Sequence, residues 1–386
     1  MSTTINFRNR FPALDGLRGT AILAVFFYHY AGGLTAHATS VPLRALGVVF
    51  GLGWTGVDLF FVLSGFLITG ILYDTRNDPR YYRSFYCRRA LRIFPVYYFL
   101  IFVLVACTNL VGAHWKPAHL FFVVYLGYPA ALIWPSLPYF SPVVQITHLW
   151  SLSLEEQFYM MWPWAVKRMW NSNAILQGCL VGGVIALALR LCISLTGLSP
   201  TWSYTFLLCR MDQLCLGAAI AVAVRGTLKV RAYHWAPSML IVAVGVVAAI
   251  CAIRHTTDHS DPVIATIGYS AIAVAYGSVL VLCLKTGSLI QQLFSVGVLR
   301  VFGKYSYGLY LYHFPLAVAL SPMKNSIVAW SHSFAIGSTL YIMVCLSANL
   351  VVAAISFHCL ESPITNLKKR FSYRTEKEPD SALACA

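Results

Sequence analysis

FPALDGLRGTAILAVFFYHY, residues 11–30, is long enough and apolar enough to cross a bilayer as one helix, yet it carries Asp15, Arg18 and His29. At 1.5 Å per residue, about 20 residues span a hydrocarbon core of roughly 30 Å. Arg18 and His29 stand eleven positions apart, and eleven steps of about 100° return to within about 20° of the start. Asp15 precedes Arg18 by three and can pair with it. The three residues therefore share one stripe, with about 16 Å between Arg18 and His29 along the axis. An ionised side chain at the centre of a membrane helix costs about 2.5–3.5 kcal/mol on insertion scales. The stripe must face a polar interior built by other helices, so this segment implies a bundle.

The rest of the chain supplies that bundle. Of its 386 residues, 59% are hydrophobic and 11% charged, and the mean hydropathy is +0.69. Soluble domains run at about 45–50% apolar and about 25% charged. These values exclude a disordered chain, a disulfide-rich secreted scaffold and a collagen-like fibre. Apolar runs of about 18–24 residues without strict alternation also argue against a β-barrel. Helices are expected at 12–34, 50–73, 93–112, 149–168, 174–196, 204–224, 235–253, 263–284, 305–322 and 334–358. The expected fold is all-α: a polytopic membrane protein with about ten transmembrane helices. Residues 113–148 are broken by Pro117, Pro129, Pro135, Pro138 and Pro142, and read as a surface or re-entrant element whose backbone protein or water must cover. The first apolar run does not read as a cleaved signal, because it holds Arg18 and His29 and lacks a small-residue cleavage site. Eleven cysteines include no CxxC pair. They read as small buried hydrophobes rather than as metal ligands or disulfides.

A formal charge of +15 would suggest nucleic acid in a soluble protein. Here it follows from topology. Twenty-one of the 28 Lys and Arg fall in segments that share a side with the N-terminus, and four, Arg44, Lys116, Arg254 and Lys324, fall on the other. By the positive-inside rule both termini lie in the cytoplasm, and no nucleic-acid partner is implied. The reading divides the chain into a cytoplasmic N-terminus (1–11), a membrane domain (12–365) and a disordered cytoplasmic tail (366–386). No internal repeat and no attached soluble domain is apparent.

Each remaining intramembrane charge needs a partner or a task. Asp58, in GVDLFFVLSGFLI, and Glu155, in HLWSLSLEEQFY, are expected at a depth similar to His29. Three titratable groups from three helices at one depth can build a general-base site; the alternative for both carboxylates is structural hydrogen bonding. Gly56, Ser64 and Gly65 read as close-packing residues. Arg89 and Arg92 share a helix face at the membrane entry, where guanidinium forks suit phosphates, although on the residues alone positive-inside anchoring is the better account of them. Arg210 and Asp212 are two apart, point to different sides and need separate partners. His313, in SYGLYLYHFP, is expected in the inner half of the ninth helix as a packing residue, and Glu361 at the end of the last helix, paired with a basic loop.

FPALDGLRGTAILAVFFYH, GVDLFFVLSGFLIT, RRALRIFP, HLWSLSLEEQFY, RMDQLCLG, SYGLYLYHFP and the closing ESP occur in this order over residues 10–365. Together they resemble the acyltransferase-3 family of integral membrane acyltransferases. The family's R-x10-H pattern falls on Arg18 and His29, its R-x-x-R pattern on Arg89 and Arg92, and its W-S-L…E element on Trp150, Ser151 and Glu155. The resemblance implies a ten-helix bundle and transfer of an acyl group, usually acetyl from acetyl-CoA, to a hydroxyl of a sugar or another extracytoplasmic molecule. Some relatives carry a further soluble esterase-like domain. None is read here, which leaves open a separate periplasmic partner.

On this reading the protein sits in a bacterial cytoplasmic (inner) membrane, among lipid. Acyl-CoA enters from the cytosol as a donor substrate, with its phosphates near Arg89, Arg92 and Arg18. His29 acts as general base on the acceptor hydroxyl, supported by Asp58 or Glu155. One polar passage is expected to run from Arg89 and Arg92 past Arg18 to His29. Neither a metal nor a permanently bound cofactor is expected. The competing class is a transporter or flippase, since proton-coupled carriers also bury Asp, Glu, Arg and His. Such carriers often show inverted repeats with broken helices, which the sequence lacks.

Overall fold

The computed structural model of the chain describes residues 11–35, 41–106, 117–134, 136 and 146–373. Arg8, Arg10, Lys116 and the tail beyond 373 lie outside the described residues. The frame comprises α1 (Pro12–Thr35), α2 (Val41–Gly51), α3 (Gly56–Asp74), α4 (Tyr81–Ala106), α5 (Trp150–Arg168), α6 (Ser172–Thr196), α7 (Met211–Ala223), α8 (Lys229–Arg254), α9 (Tyr269–Leu284), α10 (Gly297–Lys304), α11 (Ser306–Leu320) and α12 (Phe334–Ser356). No strand occurs among the described residues. Among the described residues six helical runs are long and apolar enough to cross a membrane: Arg44–Asp74, Tyr81–Ala106, Ser172–Thr196, Lys229–Arg254, Ile264–Leu284 and Phe334–Phe371. The protein is an all-α, polytopic membrane protein.

Helices α6, α8 and α12 form an outer layer. Leu180, Leu195, Ile241, Ile253 and Ile355 are exposed on them, as expected of surfaces solvated by lipid. Helices α1, α3, α5, α7 and α11 lie within. Small residues bring them close, because helices in lipid associate through packing rather than water exclusion. A Cβ on Gly303 would stand 1.7 Å from the Asp15 carbonyl oxygen, so α10 crosses α1 at backbone contact. Gly65 and Gly217 do the same for α3 and α7, each lying against a backbone carbonyl of the other helix. Gly65 thus packs as the sequence implies; Ser64 instead hydrogen-bonds inside a cavity described below.

Two buried ion pairs tie α7 to its neighbours. Arg190 on α6 holds Asp212 bidentately, at 2.9 and 2.7 Å. Arg210, in the turn before α7, donates to Asp58 at 2.6 Å, and both side chains are fully buried. Arg210 and Asp212 therefore diverge to separate partners, as their spacing of two requires.

Helix α4 begins at Tyr81, twelve residues before the start read from the apolar run at 93, so RRALRIFP lies inside a helix. Among its described residues the broken stretch forms two short α-helices, Leu120–Val123 and Gly127–Ile133, while Pro135, Pro138 and Pro142 lie outside the described residues. Side chains of α4 and α5 cover its irregular backbone. Tyr97 donates to the Phe122 carbonyl at 2.8 Å and Tyr98 to that of Val123 at 2.8 Å. Ser153 and Gln157 both donate to the Tyr125 carbonyl. Protein thus supplies the cover that non-helical backbone at membrane depth requires.

The expected disordered tail starts too early at 366. Helix continues through Ser362–Asn366 and a 3-10 turn, Leu367–Phe371. Arg83 lies 6.0 Å from the Phe371 ring centroid and Arg88 5.3 Å from that of Tyr373, which is buried. Cation–π contacts of this kind hold a polar segment that composition alone marks as loose.

Candidate active site

Two cavities lie end to end along the inner face of α1. The first, of about 180 Å³, is lined by Arg18, Arg89, Arg92, Ser64 and Glu155, with Phe60, Leu63 and Leu67 on its apolar walls. Arg18 keeps its partner Asp15 at 3.7 Å. The Arg89 guanidinium lies 3.9 Å from the Tyr159 ring centroid. Tyr159 donates to Ser64 Oγ at 2.8 Å, and Ser64 donates onward to Glu155 at 2.5 Å. Three guanidinium groups thus share a cavity with one carboxylate. Asp15, Glu156 and Glu361 also reach these arginines, so the cavity offers an anion forked N–H donors rather than a net surplus of charge.

The second cavity, of about 440 Å³, contains His29 and His148 among aromatic side chains that include Tyr28, Trp54, Trp150 and Tyr204. His29 is exposed on it. The His29 ring stacks on His313, with centroids 5.1 Å apart and planes 5° apart. His148 meets the same His313 edge-on at 5.1 Å. His259, in the loop between α8 and α9, stacks on Tyr204 at 4.1 Å. Burial outweighs the attraction of Asp258 and holds the His259 imidazole below its usual pKa.

Val57 and Tyr310 line both cavities and form their common wall. The Tyr310 hydroxyl donates to the His148 carbonyl at 2.7 Å. With its one proton so used, it accepts from Ser151 at 2.5 Å. Adjacent residues of α5 serve opposite sides: Trp150 lines the histidine cavity and Ser151 the arginine cavity.

The acyltransferase-3 profile, described as an acyltransferase domain, matches residues 11–358. The chain belongs to the acyltransferase-3 family. Among its relatives is the putative peptidoglycan O-acetyltransferase YrhL of Bacillus subtilis, 29% identical over 377 residues, covering 92% of this chain and 54% of YrhL. The peptidoglycan O-acetyltransferase OatA of Listeria monocytogenes is 28% identical over 389 residues, covering 94% and 57%. The O-acetyltransferase OatA of Staphylococcus aureus is 28% identical over 410 residues, covering 96% and 60%. The chain spans less than two thirds of the length of these relatives. No solved structure matches it.

Against the acyltransferase-3 motifs, the structure brings Arg18, Arg89, Arg92, Ser151 and Glu155 together and sets His29 and Trp150 in the other cavity. It does not join His29 to Glu155 or Asp58. Glu155 belongs with the arginines. Asp58 lines neither cavity and is locked to Arg210. The error lies in depth. An axial estimate from helix ends ignores the direction in which each side chain leaves its helix. The expected passage is seen as two adjoining cavities that share Val57 and Tyr310 in their lining. His313 is buried beside His29 rather than at the opposite depth. Glu361 sits in a π-helical turn, Phe357–Glu361, within electrostatic reach of Arg92 on α4 rather than of a loop.

Sequence reasoning missed His148, Tyr310 and His259 as parts of the site. For His148 a signal existed. It lies two residues before Trp150, at the turn entering α5, where a histidine in an apolar setting needs a partner.

Proposed function

We propose that this chain is a membrane O-acetyltransferase that moves an acetyl group from acetyl-CoA to a hydroxyl of a glycan such as peptidoglycan. The observation that carries the reading is the pairing of an arginine-lined cavity with an aromatic, histidine-bearing one across a single wall. Arg18, Arg89 and Arg92 supply forked donors for the phosphates of the donor. The arginine cavity falls below the roughly 300–1,000 Å³ of a typical ligand pocket, so it admits a slender arm rather than a whole nucleotide. The second cavity falls within that range, and aromatic faces suit the apolar faces of sugar rings. His29 removes the hydroxyl proton as the oxygen attacks the thioester carbonyl. The carbon–sulfur bond breaks, and the thiolate leaves toward the arginines. Tyr310 and Val57 then mark where the arm must pass.

In this reading the arginine cavity opens toward the cytoplasm and the protein sits in the bacterial inner membrane, both termini inside. Arg225 pairs with Asp74 at 2.9 Å, and Lys167 donates to the Arg76 carbonyl. Those contacts join segments that the positive-inside rule assigns to one side.

The test is turnover. Full-length protein in lipid nanodiscs, given acetyl-CoA and peptidoglycan fragments, is expected to release free thiol and to acetylate the fragments. Binding without thiol release would refute the enzyme reading. Arg89→Ala and Arg92→Ala are each expected to raise KM for acetyl-CoA about tenfold or more with little change in KM for the acceptor. Lysine should rescue poorly, because an ammonium cannot form the fork. Unchanged donor KM in both variants would reduce these arginines to anchors. Ser64→Ala is expected to cost no more than about tenfold. Ser64 faces the donor cavity, so an acyl-serine would still have to carry its load past Val57 and Tyr310. A thousandfold loss, with an acyl adduct on the parent Ser64 by mass spectrometry, would replace direct transfer with a covalent route.

A further inference from the structure

His148 carries an unused lone pair whose location follows from helix chemistry. Pro315 sits inside α11 and has no N–H, so the carbonyl four residues earlier, that of Leu311, loses its helical partner. His148 Nε2 lies 3.2 Å from that oxygen. A carbonyl only accepts, so the ring proton is on Nε2 and Nδ1 is left as an acceptor. Nδ1 has no hydrogen-bond partner among the described residues, and His148 is only 4% exposed. The same logic applies behind it. His313 Nδ1 lies 2.6 Å from the Tyr310 carbonyl, so its Nε2 is the acceptor, likewise without a partner. The two differ in position, since His148 lines the cavity with His29 and His313 does not, although each free nitrogen is itself buried. A buried acceptor without a donor is costly unless a ligand or water supplies one.

We infer that His148 is a specificity-determining residue of the acceptor site, and that its Nδ1 accepts a hydrogen bond from a second hydroxyl of the substrate, beside the one that reacts at His29. This rests on the proposed acyl transfer and extends it. Two imidazole acceptors on one cavity select a ligand with two hydroxyl donors, a polyol ring rather than a simple alcohol. The wall around them fits that class. Trp54, Trp150 and Tyr204 offer ring faces, while the imidazoles receive hydroxyls from the ring edge. Nothing charged is required of the acceptor at this point. A site built to receive a hydroxyl rejects an analogue lacking it strongly, because the buried acceptor is then left bare.

The experiment compares parent, His148→Phe and His148→Asn as full-length proteins in nanodiscs. Acetyl-CoA is the donor, and peptidoglycan glycan fragments and their monodeoxy analogues are the acceptors. Phe keeps the ring shape and removes both nitrogens, whereas Asn retains an amide oxygen near the position of Nδ1. His148→Phe is expected to raise KM for the acceptor at least tenfold, with KM for acetyl-CoA within about twofold of parent. His148→Asn should recover part of the loss. One deoxy analogue should lose as much with the parent as His148→Phe loses with the full acceptor, and the variant should be indifferent to that deletion. Thermal melting of the variants separates loss of fold from loss of contact. An active parent whose acceptor KM is unmoved by His148→Phe overturns this inference alone, as does an equal rise in both KM values. A parent that transfers no acetyl group overturns the function on which it rests.

Discussion

His29→Ala is expected to lower kcat for acetyl transfer by about 10²–10⁴-fold, the range for removal of one general base, while the protein remains folded in detergent. The reason for expecting a chemical rather than a structural loss is its exposure. His29 stands on the wall of the larger cavity, so truncation widens that cavity and leaves no sealed void in the core. Its ring is held by stacking on His313 and by an edge contact with Phe314 at 5.4 Å, and neither contact pins α1. Residues Leu17, Ala21, Val25 and Phe26 do that, and all are buried. No nearby group can take over fully. His313 does not line the cavity, and His148 Nδ1, the other free imidazole nitrogen there, is assigned to a second hydroxyl rather than to the one that reacts. Acceptor-dependent thiol release by the purified variant is the measurement. Near-parental kcat, with a melting temperature unchanged, would remove His29 from the chemistry and point to His148, the other histidine on the cavity, as the base.

How far the sequence carries this site depends on whether a property lives within one helix or between helices. The stripe of Asp15, Arg18 and His29 is set by the pitch of α1 and was legible. So was the shared face of Arg89 and Arg92, and so was the divergence of Arg210 from Asp212. The fold class followed from composition and from apolar run length. What failed needed the third dimension. Glu155 and Asp58 were expected beside His29 because their distances from helix ends matched. Yet α5 turns Glu155 toward the arginines, and α7 draws Asp58 away to Arg210. His313 was counted into the wrong half, and its contact with His29 depends on how α11 approaches α1. Tyr310 could not be foreseen as a partition, because its role lies in the pair of hydrogen bonds it makes to Ser151 and to the His148 backbone.

The second large effect concerns stability. Arg210→Met or Asp58→Leu alone is expected to destabilise the fold by about 3–5 kcal/mol, the usual cost of stranding one member of a buried ion pair. The double variant should recover most of that. Arg210 and Asp58 are fully buried, 2.6 Å apart. Gln213 adds a second donor to the same carboxylate oxygen at 3.1 Å. Removing Asp58 leaves a guanidinium facing aromatic rings, Tyr269 at 4.2 Å among them, with Asp212 acting on it without a hydrogen bond. Cation–π attraction of about 2 kcal/mol or a little more cannot offset the loss of the carboxylate in a dry interior. Removing Arg210 instead leaves a carboxylate with one amide. Removing both leaves an apolar site of similar volume, and such replacements are often neutral or stabilising. Recovery should stop short of complete, since the Gln213 amide then loses its acceptor. Thermal melting in one detergent, run as a double-mutant cycle, reads the coupling. If Asp58→Leu instead melts like the parent yet has no turnover, Asp58 acts in the chemistry and the pair is not the structural tie described for α3 and α7.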